Sequence, residues 1–335
     1  MKATAMAPTI HDIAKTAGVG VGTVSRVLND SPKVSNSTRA LVLRVIEEQG
    51  YRPKSAAKVL RTRRTHVIGF ITDEIATTPY AVNVIRGAQD AAHAQGKVLL
   101  LVNTNGNAAV LMQAIETLLE RQVEGIIYAA MYHQPVTLPS NIREINTVLV
   151  DCYTEARDLP SVVPDEVQGG YDAVSRLIRQ GHCRIGFANA AVDIPASRGR
   201  LQGYCQALAD HQIPFDPDLV CRQDGEADAG YDLTLALMER PVPPTAIFYF
   251  NDRMAMGGYD ALRKLGKRIP VDVAVMGFDN QEIIAANLHP PLSTMELPHY
   301  VMGQWAVTQL LTAADPSVAP VQVKLHCPYI ERASV

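Results

Sequence analysis

The first fifty residues carry apolar side chains at the three- and four-residue spacing of short helices. This pattern predicts a helix over residues 10–17, which Thr9 can cap and which has Asp12 in its first turn. Gly18 can end this helix, because glycine adopts the left-handed conformation of a helix C-terminus at little cost. The spacing predicts a second short helix over about residues 21–28.

A third helix is predicted over residues 36–49, with Ser35 as its cap. Two short helices joined by a tight glycine turn and followed by a packing helix are typical of a helix-turn-helix domain. In that motif the second helix lies in the major groove of DNA, where an arginine such as Arg26 can bind guanine through two hydrogen bonds. The residues expected to contact DNA here are Val21, Gly22, Thr23, Ser25, Arg26 and Lys33.

From residue 66 onward, short apolar runs alternate with helical stretches. Near-continuous apolar strands with helices between them indicate parallel sheets covered on both faces. A weak repeat, residues 66–70 against residues 183–187, predicts two similar α/β lobes, with a ligand beyond the carboxyl ends of the strands. The predicted strands are residues 67–72, 98–103, 125–130, 147–151, 184–188, 246–250 and 273–278.

Polar residues stand where several of these strands end. Carboxylates together with asparagine and arginine suit a hydroxyl-rich ligand, because each sugar hydroxyl both donates and accepts hydrogen bonds. The sequence therefore predicts a carbohydrate site between the two lobes. The polar residues at strand ends and at the helix starts beyond them include Asp165, Glu166, Arg198, Arg200, Asn251, Asp252, Asp279 and Asn280.

The composition excludes several classes of protein. With 47% hydrophobic and 19% charged residues in 335, the chain is typical of a globular protein of two or three domains. Its five cysteines form no CxxC pair, so we expect a reducing cytosol and no disulfide framework. There is neither an apolar signal at the start nor a run of 18 apolar residues. Because no nucleophile motif, phosphate loop or metal-ligand spacing occurs, we expect no enzymatic activity, cofactor or metal.

Charge is distributed very unevenly. Residues 1–66 carry 12 Lys and Arg against four Asp and Glu, a net charge of +8, whereas the remainder carries 19 against 30, a net charge of −11. A basic head on an acidic body is typical of a nucleic-acid-binding module joined to a part with another role.

The motifs that carry chemistry resemble one family. Residues 9–14 (TIHDIA) and 23–29 (TVSRVLN) are similar to the headpiece of the LacI/GalR family of bacterial transcription regulators. The resemblance continues through residues 200–204 (RLQGY), 251–257 (NDRMAMG) and 277–280 (GFDN), and it covers about residues 9–332. It implies an α/β fold in which a helix-turn-helix headpiece is joined by a hinge helix to a two-lobed, periplasmic-binding-protein-like core with parallel sheets.

The resemblance also implies domain boundaries and further DNA contacts. The headpiece would be residues 1–53, the hinge helix and linker residues 54–65, and the effector-binding core residues 66–335. The N-subdomain of the core would comprise about residues 66–161 and 292–323, and the C-subdomain about residues 162–291 and 324–335. In the hinge, Leu60 would enter the minor groove as an apolar wedge, with Lys54 and Ala57 also at the DNA.

At the effector site, the resemblance implies that Arg200 and Asp279 grip the ligand. The full set expected there is Tyr80, Asp165, Ala196, Arg200, Asn251, Asp252 and Asp279. Gly225 stands where many relatives have a stacking aromatic residue, so a saccharide larger than one ring, such as a disaccharide, is expected to fit.

The function implied is that of a cytoplasmic repressor of carbohydrate-utilisation genes that a sugar releases from double-stranded operator DNA. A corepressor response, in which the ligand strengthens DNA binding, would also fit these residues. Two interpretations from different classes compete with a regulator: a two-lobed sugar receptor without DNA function, and a nucleotide-dependent sugar enzyme.

A homodimer is expected, because a headpiece and a short hinge helix need a second copy on a near-palindromic site. The small apolar residues Val84, Ala88 and Ala91, on a helix over about residues 80–95, are predicted to form the dimer surface together with residues 254–265.

Overall fold

The computed structural model describes residues 8–51, 65–74, 82–312 and 318–335. The chain forms two compact units, Met1–Thr65 and His66–Val335, each described below by itself. The predicted hinge helix, the DNA contacts Lys54, Ala57 and Leu60, and the effector contact Tyr80 lie outside the described residues.

The first unit consists of the helices α1 (Ile10–Ala17), α2 (Val21–Leu28) and α3 (Asn36–Gln49). Thr9 and Asp12 form a reciprocal cap at the start of α1, and Gly18 ends it at a φ of 63°. All three helices contribute to one small core, whose buried residues are Ile13, Ala14, Ala17, Val24, Val27, Val42 and Val45. The predicted helix-turn-helix is confirmed.

The second unit contains two six-stranded sheets, both with helices between their strands. Every strand pair is parallel except the antiparallel pair of β10 and β12. The first sheet has the order β11 (Gln322–Leu325), β5 (Ser161–Pro164), β4 (Thr147–Tyr153), β3 (Ile126–Pro135), β1 (Val67–Thr72), β2 (Val98–Asn103). The second has the order β12 (Tyr329–Ile330), β10 (Ser293–Glu296), β9 (Ala274–Asp279), β8 (Ala246–Tyr249), β6 (Ile185–Ala190), β7 (Val220–Gln223).

Helices cover these sheets, and their glycines allow close contacts. A Cβ on Gly303 would overlap the carbonyl oxygen of Val84, and a Cβ on Gly257 would overlap that of Ala227. The helices of this unit are α4 (Val82–Ala94), α5 (Ala108–Glu120), α6 (Glu166–Arg179), α7 (Pro195–Asp210), α8 (Ala227–Met238), α9 (Asp252–Lys264), α10 (Glu282–Ala285) and α11 (His299–Leu311). No helix in the part of the chain that the structure describes is both long and apolar enough to cross a lipid bilayer.

The chain crosses between the sheets three times. It leaves the first sheet after Pro164, returns between Glu296 and α11, and crosses again between Leu325 and Tyr329. The predicted return to the N-subdomain at residue 292 is wrong, because β10 pairs with β9 in the second sheet. The predicted crossings at residues 161 and 323 cut through β5 and β11, both of which belong to the first sheet.

The predicted dimer surface is also wrong. Val84 and Ala88 are fully buried within the protomer, where α4 packs closely against α11. Residues of the other predicted stripe, such as Met254 and Ala255, are fully buried as well, and α9 packs against α8. Val84 and Ala88 therefore pack helices of one chain together and are not accessible to a second copy, whereas Ala91 is half-buried.

Candidate DNA-contacting helix and effector cleft

Helix α2 presents the predicted DNA contacts on its outer side. Val24 and Val27 are buried, which fixes the helix on the headpiece core and leaves Gly22 and Arg26 exposed. Arg26 forms no ion pair with any described residue, in contrast to Arg39, which binds Asp30. The remaining predicted contacts Val21, Thr23 and Ser25 are half-buried, and Lys33 is exposed. An arginine held on this helix without an acidic partner is available for a DNA base.

Arg200 lies in the helix Pro195–Asp210 and is almost completely buried. Its Nε donates a hydrogen bond to Glu166 Oε2 at a distance of 2.8 Å, and its Nη1 donates to the carbonyl oxygen of Phe250. The guanidinium stacks on the ring of Phe278 at 3.7 Å from the centroid and faces the ring of Phe250 at 4.4 Å. These contacts hold the guanidinium in one position.

Asp279 ends β9 beside this arginine, with its Oδ1 3.6 Å from Arg200 Nη1. Its backbone φ of 109° lies in a region that side-chain-bearing residues rarely adopt, which is typical of functional positions. Oδ2 accepts a hydrogen bond from Gln281, whereas Oδ1 has no hydrogen-bond donor among the described residues. Burial raises the pKa of this carboxyl group to about 6, against the lowering effect of Arg200.

The other predicted effector residues are used within the protein. Asn251 caps α9 through the amide N–H of Met254 and donates to the Gly225 carbonyl oxygen. Asp252 is fully buried and accepts hydrogen bonds from the Gln281 N–H and the Thr294 hydroxyl, each with a donor–acceptor distance of 2.7 Å. Asp165 caps α6, and Ala196 is buried in the first turn of α7. Their contacts with a ligand stay predictions.

The hydrogen bonds of Asp252 lead to a prediction about stability. Asp252→Ala would leave the Gln281 N–H and the Thr294 hydroxyl buried without an acceptor, which is expected to cost about 2–5 kcal/mol of unfolding free energy. Asp260→Ala on the exposed face of the same helix is the matched control and should change it by less than about 0.5 kcal/mol. Urea titrations of both variants measure this difference, and equal midpoints would contradict the bracing role of Asp252.

Three further polar residues, two of them on strands of the first sheet, were not identified from the sequence. Asp151 lies in β4 with a φ of 57°, and its Oδ2 is 3.6 Å from Nε2 of His299 at the start of α11. His133 on β3 is half-buried, and the loss of hydration lowers its pKa to about 4. Burial also raises the pKa of Asp151. Asp151 ends a predicted strand, so the rule that selected Asp279 could have found it, whereas His133 and His299 stand in no recognisable motif.

Asp279 and His299 line an open cleft of about 290 Å³. Asn83 on α4 lines it from one side and Gln281 from the other. No group of three potential metal ligands occurs among residues 8–51, 65–74, 82–312 and 318–335. The cleft wall combines carboxyl groups with side-chain amides, a set that can hold hydroxyl groups in defined positions.

Comparison with known proteins agrees with both parts of this description. Residues 9–54 match the family described as bacterial regulatory proteins, lacI family, and residues 65–332 match periplasmic binding proteins and the sugar binding domain of the LacI family. The chain is 31% identical to the ribose operon repressor of Escherichia coli (strain K12) over 329 residues, which cover 97% of this chain and 99% of that protein. It is also 31% identical to the repressor PurR of Pasteurella multocida (strain Pm70), with 98% of both chains covered.

Two solved structures resemble the whole chain. The lac repressor dimer bound to operator and the anti-inducer ONPF has a TM-score of 0.80 at 25% identity, with 98% of both chains covered. A complex of the transcriptional regulator CelR with cellobiose has a TM-score of 0.68 at 28% identity, and it covers 98% of this chain and 100% of that chain.

Proposed function

Because the chain belongs to the LacI family of bacterial transcription regulators, we propose that it represses carbohydrate-utilisation genes and leaves its operator when a sugar binds. The observation that carries this proposal is the presence, on one chain, of an exposed arginine on α2 that forms no ion pair with a described residue, and of a cleft lined by Asp279, which Arg200 contacts from behind. The first suits operator DNA, and the second suits a ligand rich in hydroxyl groups. A DNA-binding protein of this kind acts in the bacterial cytoplasm.

The two parts act through linkage. The cleft has walls from both lobes, so a bound sugar favours one arrangement of the lobes over another. If the arrangement favoured by the sugar binds operator less well, the sugar lowers operator affinity and operator lowers sugar affinity by the same factor. A coupling free energy of about 1–3 kcal/mol corresponds to a change of about 5–150-fold.

The lack of a side chain at Gly225 is the reason to consider a saccharide of more than one ring. A Cβ at this position would lie 3.3 Å from Asn251 Nδ2 and 4.0 Å from Phe250 Cε1, so the glycine packs next to these two residues. Glycine cannot supply the aromatic ring that would stack on a single sugar ring. We therefore extend the proposal to a disaccharide effector.

The proposal includes a homodimer. Two headpieces read two half-sites of a near-palindromic operator only if the protein has matching two-fold symmetry. The lac repressor to which this chain is similar is a dimer on its operator.

Selection of DNA fragments from a random pool, followed by release with sugars, tests the proposed function. We expect the full-length protein to enrich one near-palindromic sequence and at least one sugar to lower its affinity for that sequence. Enrichment of no sequence would favour a sugar receptor without DNA function. A sugar that raises the affinity would favour a corepressor response.

Arg26 provides a prediction for the DNA side. Arg26→Ala is expected to cost about 1–3 kcal/mol of specific binding and to remove the preference at one base position, because a bidentate contact with guanine would be lost. Binding of a set of single-base operator variants, followed by fluorescence anisotropy, measures that preference.

Arg44→Ala is the matched control for Arg26→Ala. Arg44 is exposed on α3, so its removal takes away the same charge from the headpiece without affecting α2. It should lower affinity evenly across the operator variants, if at all. Should Arg26→Ala leave every base preference intact, α2 would not be the helix that reads the bases.

A further inference from the structure

We infer that the effector is an uncharged or amine-bearing molecule, and that the cleft rejects ligands carrying a phosphate or carboxylate group. The inference rests on the proposed function, because it concerns the effector of the same cleft. It is carried by the partners of the charged groups around Arg200 and Asp279.

The positive charge of Arg200, which lies behind Asp279 in the cleft wall, is already neutralised. Glu166 and Asp279 flank the guanidinium of Arg200, at 2.8 Å and 3.6 Å, and the side chains of all three residues are no more than 4% exposed. An anionic ligand that reached this guanidinium would have to compete with two buried carboxylates. Arg200 is therefore suited to orient a neutral hydroxyl group, not to bind a free negative charge.

The other basic side chains nearby are also engaged. Arg253 forms an ion pair with Glu226 at a distance of 2.9 Å and donates a hydrogen bond from Nη2 to the Tyr132 hydroxyl at 3.4 Å. Arg332 donates to Asn280 Oδ1 and to the Leu292 carbonyl oxygen. Burial keeps the pKa of His133 at about 4, so this imidazole is neutral at pH 7. Residues 75–81, which lie outside the described residues, contain no Lys, Arg or His.

Two buried carboxylate oxygens near Arg200 and His299 have no hydrogen-bond donor within the described ranges. Oδ1 of Asp151 and Oδ1 of Asp279 are both buried without a donor among the residues that the structure describes. Both residues have a positive φ, 57° and 109°, which indicates that the fold holds them against a local preference. An ionised carboxylate can only accept hydrogen bonds. The ligand group that meets these oxygens therefore has to donate a hydrogen bond. A hydroxyl or ammonium group does so, whereas a phosphate or carboxylate group at neutral pH does not.

Negative charge dominates this part of the cleft. Glu166 and Asp279 flank Arg200, Asp151 lies 3.6 Å from His299, and Glu296 lines the cleft. The raised pKa values of Asp151 and Asp279 agree with burial and crowding of carboxyl groups. A second anionic group would add repulsion, whereas an ammonium group would be attracted.

Pairs of a neutral sugar and a charged derivative with the same closed rings test the inference. The pairs are glucose and glucuronate, galactose and galacturonate, cellobiose and cellobiuronate, glucose and glucose 6-phosphate, and glucose and glucosamine. Calorimetry with the full-length protein at pH 7.5 and constant ionic strength gives the affinity of each. We expect every anionic member to bind at least about tenfold more weakly than its neutral partner.

A variant that removes one negative charge next to Arg200 provides a second test of the inference. Glu166→Gln keeps a hydrogen-bond acceptor for Arg200 but leaves the guanidinium less neutralised, so the ratio of neutral to anionic affinity should fall about tenfold. Glu331→Gln, which removes a carboxylate from the exposed ion pair with Arg176, should leave the ratio unchanged. Thermal melting without ligand confirms that both variants are folded.

The outcomes separate this inference from the proposed function. An anionic sugar that binds as tightly as its neutral partner would overturn the inference and leave a carbohydrate-responsive regulator in place. An unchanged ratio in a folded Glu166→Gln variant would overturn it as well. If no member of any pair bound, the carbohydrate effector itself would fail, and the inference with it.

Discussion

Asp279→Asn is expected to give a repressor that binds its operator normally and does not respond to its sugar. The substitution preserves the shape of the side chain but removes the charge beside Arg200 and replaces an acceptor by an amide that also donates. Hydrogen bonds to a charged group contribute about 1.5–3 kcal/mol each, so we expect sugar affinity to fall about 100-fold. Operator affinity should stay unchanged, because the headpiece forms its own compact unit.

Calorimetry with the sugar and anisotropy with the operator measure the two affinities. Asp272→Asn is the control, since Asp272 precedes the other end of strand β9 and is bound by Arg268. Full sugar affinity in Asp279→Asn would contradict the placement of the effector at this carboxylate. Arg200→Ala is a poorer probe, because it would leave Glu166 buried and unpaired and would destabilise the whole lobe.

The pH dependence of sugar affinity provides a second test of the role of Asp279 in sugar binding. Burial raises the pKa of Asp279 to about 6, and a ligand that donates to its carboxylate binds the ionised form. Protonation then competes with the ligand, so sugar affinity should fall as pH decreases from 7 to 5, by up to about tenfold per unit below 6. In Asp279→Asn this dependence should weaken, and an unchanged dependence would assign it to Asp151, whose pKa burial also raises.

The headpiece could be predicted from the sequence because its signals are local. Thr9, Asp12 and Gly18 lie within one short helix and its two ends, and the cap and the left-handed turn require only these neighbours. The seven apolar strands could also be predicted, since each lies inside a sheet or carries several consecutive apolar residues. Arg200 and Asp279 were selected by motif, and the structure places them 3.6 Å apart, with Asp279 lining the cleft.

The remaining features depend on partners distant in the chain. Strand β11 has only four residues and is a strand because it pairs with β5, about 160 residues earlier. A stripe of small residues on α4 predicts close packing but does not name the partner, which is Gly303 on α11 and not a second copy. Asp252 lies in a motif that predicts a binding residue. In the structure, however, the Gln281 N–H and the Thr294 hydroxyl each donate a hydrogen bond to one of its two carboxylate oxygens.

The surface available to a second copy is therefore a different one. Strand β2 is the last strand of the first sheet on its side, so it has one unpaired edge. Val98 and Leu101 on this strand are 66% and 38% exposed, and Met112 on α5 is also an exposed apolar residue. An exposed edge strand with apolar side chains is a ready surface for self-association. We place the dimer interface there.

Leu101→Asp is expected to convert the dimer into a monomer, because it puts a charge in the middle of an apolar interface. Operator affinity should then fall at least about 100-fold, since one headpiece reads only one half-site. Light scattering at micromolar concentration and operator titration measure the two effects. Val271→Asp is the control: this valine is 70% exposed but precedes β9, whose two edges are paired with β8 and β10.

A monomer mass for the unaltered protein would contradict the symmetric operator on which the dimer argument rests. A dimer mass for Leu101→Asp would place the interface elsewhere while keeping that argument. Because α2 and its Arg26 lie in the other unit, a folded Leu101→Asp monomer should retain the base preference of a single half-site and lose only the gain from binding two. The length of DNA protected by each protein therefore separates loss of symmetry from loss of readout.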